Sequence, residues 1–267
     1  MKENFSKKIN YLTLSTKADI PFEELGIVFR QPSIKEIGMM GGDAQFLMAC
    51  QTLTRDYKKI PGENLSDNIT NFDIFMSIIN KRKDDTNVNQ IFNAVNSLLF
   101  LICPKYEISF QESCIIFLEQ AEEGVIPHIL DARTFNLLRE ILIQMFCLGL
   151  LQADGVNGDF NPSGIRAEAI AEKLRARHEF LNKRKAERGE DVETKSMFSL
   201  YQSILSVGLE KDMNMLAEYS VPQLMMEFDR YMKKNNFDYT FQAKMAGAKN
   251  VKDADSWLEE IPLSGKK

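Results

Sequence analysis

Hydrophobic residues recur at helical spacing along most of this chain. Apolar side chains three and four residues apart fall on one face of a helix, which buries that face against the rest of a protein. The clearest such stretches are 72–81, 88–102, 132–148, 197–209 and a helix that opens at Val221-Pro222. Every element that the pattern indicates beyond residue 163 is a helix. The sequence therefore predicts a mainly α-helical protein.

The helical spacing is interrupted in the N-terminal half. Residues 26–31 have the character of a short strand, closed by Pro32. Tyr106, Ile108 and Phe110 alternate with polar residues, and a second apolar run follows at 114–118. Strict alternation is the period of a strand. We therefore expect a small β-hairpin between residues 104 and 124, and we interpret 125–129 as an apolar turn that follows it.

Capping signals indicate where several helices begin. Ser33, followed three residues later by Glu36, has the spacing of a reciprocal capping box. Asp43 follows two glycines and is expected to cap the next helix, and Asp131 is expected to cap 132–148. Residues 1–19 are polar, and we expect them to be frayed.

A run rich in Gly, Asn, Asp and Pro at 149–164 is the clearest boundary in the chain. It predicts two domains, an N-terminal α-rich domain with short strands at 1–152 and a C-terminal all-α domain at 163–267. The second would open with a charged helix at 165–188, which contains eight Lys and Arg residues and four Glu residues. Arg175 and Arg177 are its candidate contacts for an acidic partner protein. The alternative is a solvated helix with internal ion pairs.

Composition and charge narrow the class of protein. Hydrophobic residues make up 44% of the chain, enough for a real core, and the net charge is -5. That balance argues against a nucleic-acid binder, and 165–188 offers only Phe180 for base stacking. The four Cys show no CxxC spacing, so we expect reduced core residues. No apolar run is long enough to span a membrane, which favours an intracellular soluble protein.

The residues that usually carry catalysis form no recognisable arrangement. We interpret His128 as a satisfied core or loop residue and His178 as a solvated helix residue. No HExxH motif occurs, and the glycines at 38–42 are followed by Asp43 rather than by the Lys-Ser/Thr of a phosphate loop. The expectation is a protein that is not an enzyme and that uses no metal or cofactor.

The last long helix carries the strongest candidates for binding. Six side chains give it a broad apolar face, namely Tyr219, Leu224, Met225, Phe228, Tyr231 and Met232, and the last four named are candidates for partner binding. Phe241 and Met245 share a face further along, and Trp257 is the only Trp of the chain. Large apolar side chains and adaptable methionines suit a partner-binding surface, but they fill a core equally well. The spacing leaves both interpretations open.

Two segments resemble a known family. The pattern Asp238-Tyr239, then AKMAGAK at 243–249, then Trp257-Leu258 is similar to the C-terminus of morphogenesis proteins of tailed phages and prophages of Gram-positive bacteria. Residues 25–38, with Gln31-Pro32 and the run KEIG at 35–38, resemble the N-terminal segment of that family. The order of helices from 166 to 257 is similar too, whereas 55–160 does not match.

The resemblance implies a tail assembly chaperone. Such a protein would bind the tape-measure protein in the host cytoplasm and keep it soluble while tail-tube subunits assemble around it. Further candidate partners are the tail-tube protein and other copies of this chain. The alternative that we keep is a structural tail or baseplate subunit that stays in the virion. Neither role implies a cofactor or a membrane.

Overall fold

A computed structural model describes residues 8–59, 69–83, 85–122, 124–148 and 197–248 of the chain. Its helices are α1 (Tyr11–Ser15), α2 (Ile34–Met39), α3 (Gly42–Thr54), α4 (Asn71–Asn80), α5 (Thr86–Ile102), α6 (Ala132–Met145), α7 (Met197–Leu209), α8 (Met213–Ala217) and α9 (Val221–Met245). Short 3-10 turns occupy Tyr57–Lys59 and Lys81–Lys83. The strands are β1 (Ile20–Phe22), β2 (Ile27–Phe29), β3 (Tyr106–Phe110), β4 (Ile115–Ala121) and β5 (Gly124–Leu130). The prediction of a mainly helical protein is confirmed.

The strands form two small antiparallel sheets. β1 pairs with β2, and a three-stranded sheet has the order β3-β4-β5. The predicted hairpin corresponds to β3 and β4, in which Ile108 lies opposite Phe117. The interpretation of 125–129 as a turn is wrong, because these residues belong to β5 and pair with β4. Pro127 lacks an N–H group, and a strand at the edge of a sheet tolerates that loss.

One hydrophobic core extends through the described residues. α3 packs against α5 and α6, α4 also packs against α5 and α6, and α7 packs against α9. The cluster of buried side chains runs from Leu14 to Met226 and so includes the C-terminal helices. Its fully buried aromatic side chains are Phe22, Phe29, Phe46, Phe75, Phe117, Phe135, Phe146 and Phe198.

The C-terminal helices meet the rest of the core at Phe46. The ring of Phe46 lies 5.0 Å from the ring of Phe146 and 5.6 Å from that of Phe198. Asp43, expected to cap α3, lies instead in the first turn of that helix, whose cap residue is Gly41 at a φ of 118°. One Asp43 carboxylate oxygen accepts a hydrogen bond from the Phe198 backbone N–H at 3.1 Å. The carboxylate therefore satisfies a free N–H at the start of α7.

Two capped helix starts lie side by side. The capping box predicted at Ser33 and Glu36 is confirmed, and Ser220 forms a second box at the start of α9. Ser33 and Ser220 form an isolated antiparallel bridge, and the Ile34 N–H donates to the Tyr219 carbonyl at 2.9 Å. Both serines are buried. Backbone pairing thus fastens the root of α9 to the N-terminal part of the chain.

The expectation of frayed residues at 1–19 is wrong for residues 8–19, while 1–7 lie outside the described residues. Leu14 of α1 is fully buried. The Ile9 N–H donates to the side-chain oxygen of Gln144 at 2.9 Å. The Gln31 side chain donates to the carbonyls of Thr13 and Ala18. Polar residues therefore hold this segment in place, although its sequence offers few apolar positions.

The structure bears in part on the predictions about the cysteines, membrane spans and domains. Cys50, Cys103 and Cys147 are buried free thiols, whereas Cys114 is half-buried. No helix within the described ranges is long and apolar enough to cross a membrane. The boundary at 149–164 and the charged helix at 165–188 lie outside the described residues, so the division into two domains stays a prediction.

Candidate partner-binding surface

α9 is a long helix that is buried only at its start. Ser220 caps it, and its 25 residues span about 37 Å at 1.5 Å per residue. Its buried residues are confined to the stretch from Val221 to Met226. The helix ends at Met245, just before Gly247, which has a φ of 82°. More than half of α9 therefore extends beyond the packed core.

Three of the predicted binding residues pack α9 against the rest of the protein and do not add to its exposed surface. Met225 is 2% exposed and belongs to the core, so it cannot contact a partner in the folded protein. Phe228 is half-buried, and its ring centroid lies 4.3 Å from that of Tyr201 in α7. Tyr231 is half-buried with its ring against Gly208, where a Cβ atom would collide with it. Gly208 thus permits the close approach of α7 and α9.

The other predicted residues of α9 are exposed. The exposed fraction is 48% for Met232, 56% for Phe241 and 75% for Met245. Phe237 and Tyr239, which were not among the predicted binding residues, are exposed as well. Trp257, Arg175 and Arg177 lie outside the described residues. Among the described residues, ten of the eighteen large hydrophobic side chains that are exposed lie between residues 200 and 245, which concentrates accessible apolar surface in α7, α8 and α9.

The exposed side chains of α9 fall on two sides of the helix. Phe237, Phe241 and Met245 are four residues apart and so lie in one line, which we call the distal stripe. At the helical rise it measures about 12 Å. Met232 and Tyr239, seven residues apart, continue the side that is buried nearer the start of α9. Apolar side chains are thus available on more than one side of this segment.

The methionines are divided between core and surface. Met225 and Met226 are buried, whereas Met213, Met215 and Met232 are exposed. Two of these five methionines therefore belong to the core, and the other three are accessible to solvent. Flexible, polarisable Met side chains at the surface can adapt to more than one partner shape.

A cleft of about 410 Å³ lies at the root of α9, where this helix passes α1. We call it the root cleft; its lining residues are Tyr11, Ser15, Tyr219, Gln223, Met226, Glu227 and Arg230. Lys211 lies beside it, 3.3 Å from the Glu227 carboxylate, and donates to the Tyr219 hydroxyl at 3.0 Å. Burial lowers the pKa of Lys211, but these two partners together outweigh it and raise the pKa above its ordinary value.

The histidine that could have served as a catalytic base has a structural role. One ring nitrogen of His128 lies 2.9 Å from the Leu25 carbonyl oxygen, and the other lies 3.2 Å from the Glu119 carboxylate. The ring also packs edge-on against Tyr106. His128 thus joins the turn between β1 and β2 to the three-stranded sheet. Among the described residues, no group of three or more His, Cys, Asp or Glu could hold a metal ion.

Comparisons with protein families, with curated proteins and with solved structures find no match for this chain. Among the described residues, the surface of α7, α8 and α9 includes three accessible side chains that were predicted from sequence, namely Met232, Phe241 and Met245.

Proposed function

We propose that this protein is a phage tail assembly chaperone that binds the tape-measure protein and assists tail-tube assembly. The observation that carries the proposal is the distal part of α9, a helix of which residues 232–245 display five large exposed apolar side chains. Phe237, Phe241 and Met245 lie together in the distal stripe, and apolar side chains that are exposed together on a folded protein mark an interaction site. The motif that resembles the phage family, residues 238–249, overlaps this segment.

The expected client has the complementary chemistry. A tape-measure protein is, by this resemblance, a long helix with an apolar stripe that aggregates when uncovered. A helix with an apolar stripe binds through residues spaced three and four apart, and the residues of the distal stripe are four apart. Phe and Met side chains on α9 can exclude water from such a stripe without requiring one fixed partner sequence.

Co-expression tests the proposal. The full chain, carrying an affinity tag, is produced together with the tape-measure protein of the same genome, and the retained protein is quantified. The test variant is Phe241→Gln with Met245→Gln, because Gln keeps helix propensity and removes the apolar side chains. The control is Phe100→Gln, since Phe100 is 62% exposed and belongs to α5 rather than to α9. We expect wild type and the control to retain the client and the double variant to lose it.

Two results would contradict this proposal. One is that the wild-type chain retains no tape-measure protein; the other is that the double variant retains as much as the Phe100→Gln control. Mass spectrometry of purified particles adds a separate test. A chaperone should be missing from them, whereas a fixed copy number per particle would favour a structural tail or baseplate subunit.

A further inference from the structure

We infer that the helix bound by α9 carries a carboxylate that pairs with Arg230, about two helical turns from its apolar stripe. The inference rests on the proposed function, because it specifies the chemistry of the client. The binding surface of α9 then has two distinct ends, an apolar end at the distal stripe and a cationic end at the root cleft.

Arg230 lies in line with the distal stripe. Positions 230, 234, 237, 241 and 245 are separated by three or four residues and so share one side of α9. Arg230 precedes Phe237 by two turns, about 10 Å along the axis. A helix that covers Phe237, Phe241 and Met245 and continues toward the root of α9 therefore passes over Arg230.

The neighbouring lysines of α9 already have acidic partners. Lys233 lies 2.8 Å from the Asp229 carboxylate, and Lys234 lies 2.7 Å from that of Asp238. Within the described part of the chain, the guanidinium of Arg230 makes one long contact, a hydrogen bond of 3.5 Å to the Tyr11 hydroxyl. No carboxylate of the described residues forms a salt bridge with it. Arg230 can therefore pair with a carboxylate of another molecule, to which an arginine donates two parallel hydrogen bonds in bidentate geometry.

Glu227 is the group that could oppose this pairing, since its carboxylate also lines the root cleft. Its charge is offset by Lys211 at 3.3 Å. The cleft, at about 410 Å³, has room for the side chain of an incoming Glu beside Arg230. The local charge that such a side chain meets is therefore positive.

Fluorescence anisotropy with synthetic helical peptides tests the inference on the full chain. Each peptide has Leu at positions i, i+4 and i+8 and one Glu seven residues before the first Leu or after the last, to allow both helix directions. Each has a twin with Gln in place of Glu. We expect one Glu peptide to bind wild type about two- to fivefold more tightly than its twin, because exposed ion pairs contribute up to about 1 kcal/mol. Added salt should shrink the difference.

The protein variants locate the effect. Arg230→Gln should bind both twins equally, and Arg133→Gln, which removes an exposed arginine on α6, should keep the preference of wild type. Equal affinity of the twins for wild type, a preference that survives in Arg230→Gln, or no peptide binding at all would overturn the inference. A preference that depends on Arg230 while the tape-measure protein is not retained would uphold the inference and refute the proposed function. Retention of the tape-measure protein without any preference for the Glu peptide would support the proposed function and overturn the inference.

Discussion

Phe46→Ala should loosen the attachment of the C-terminal helices and lower the stability of the whole protein. Phe46 is fully buried and contacts Phe146 and Phe198, so it joins α3 to the end of α6 and to α7. Truncating a buried Phe to Ala costs about 3–5 kcal/mol through lost burial and the cavity that remains. For a chain of this size, that loss lowers the melting temperature by roughly 10 °C.

The measurement is thermal and urea unfolding followed by circular dichroism, with hydrogen exchange read by mass spectrometry. Exchange should rise in α7 in Phe46→Ala, because Phe198 loses its neighbour. Phe100→Ala is the control and should change the free energy of unfolding by less than about 0.5 kcal/mol, since its side chain is exposed. Phe198→Ala combined with Phe46→Ala should cost less than the sum of the two single variants, because the two rings touch.

Two results would refute this reasoning. If Phe46→Ala stays within about 1 kcal/mol of wild type, the ring does not hold a well-packed junction. If the costs of the two single variants add without any coupling, the contact between Phe46 and Phe198 contributes nothing of its own.

Two further predictions concern titration and thiol reactivity. Burial raises the pKa of Glu36, but hydrogen bonds from Ser33 and Arg30 outweigh it and hold the pKa below its ordinary value of 4.5. Glu36 therefore stabilises the fold above that value and loses this effect as the pH falls through its folded pKa. The melting temperature of wild type should fall more steeply than that of Glu36→Gln from about pH 5 to about pH 3, and parallel curves would contradict this. For the thiols, burial raises the pKa of Cys147 to about 12 and those of Cys50 and Cys103 as well. Ellman's reagent should thus modify Cys114 in the folded protein and the other three only in denaturant. Cys114→Ser should abolish the fast reaction, and a second fast thiol would count against the expectation.

Elements set by local chemistry could be predicted from the sequence. The capping box of Ser33 and Glu36 and the cap at Asp131 depend on residues within three positions of each other, and both are present. Long amphipathic stretches such as α5 and α6 follow because apolar spacing and burial agree. In each case, the information that decides the structure lies inside the segment itself.

Features set by distant contacts could not be predicted in this way. Asp43 accepts from Phe198, which is 155 positions away, and no local signal distinguishes this role from an ordinary cap. β5 was missed because its residues are apolar at successive positions and include Pro127, so alternation is absent. α1 is too short for a period, and hydrogen bonds from Gln31 and to Gln144 hold its surroundings in place.

The candidate site was predicted in part. Met225 and Met245 both fit the helical spacing of apolar residues, yet Met225 is buried and Met245 is exposed. The difference arises because burial depends on where the neighbouring helices end. Sequence alone therefore named residues of both kinds. The role proposed for Arg230 had no signal in the sequence, because it depends on acidic partners that Lys233 and Lys234 have and that Arg230 lacks among the described residues.

The paired serines at the root of α9 have a consequence for the order of events on the ribosome. Synthesis proceeds from the N-terminus, so Ser33 and the surrounding core have left the exit tunnel well before Ser220 and α9 emerge. The helix with the exposed apolar side chains is therefore made after the core on which it docks, and its docking position is present when it appears. We therefore expect nascent chains to expose Phe241 and Met245 only after the core residues that support α9 have been made.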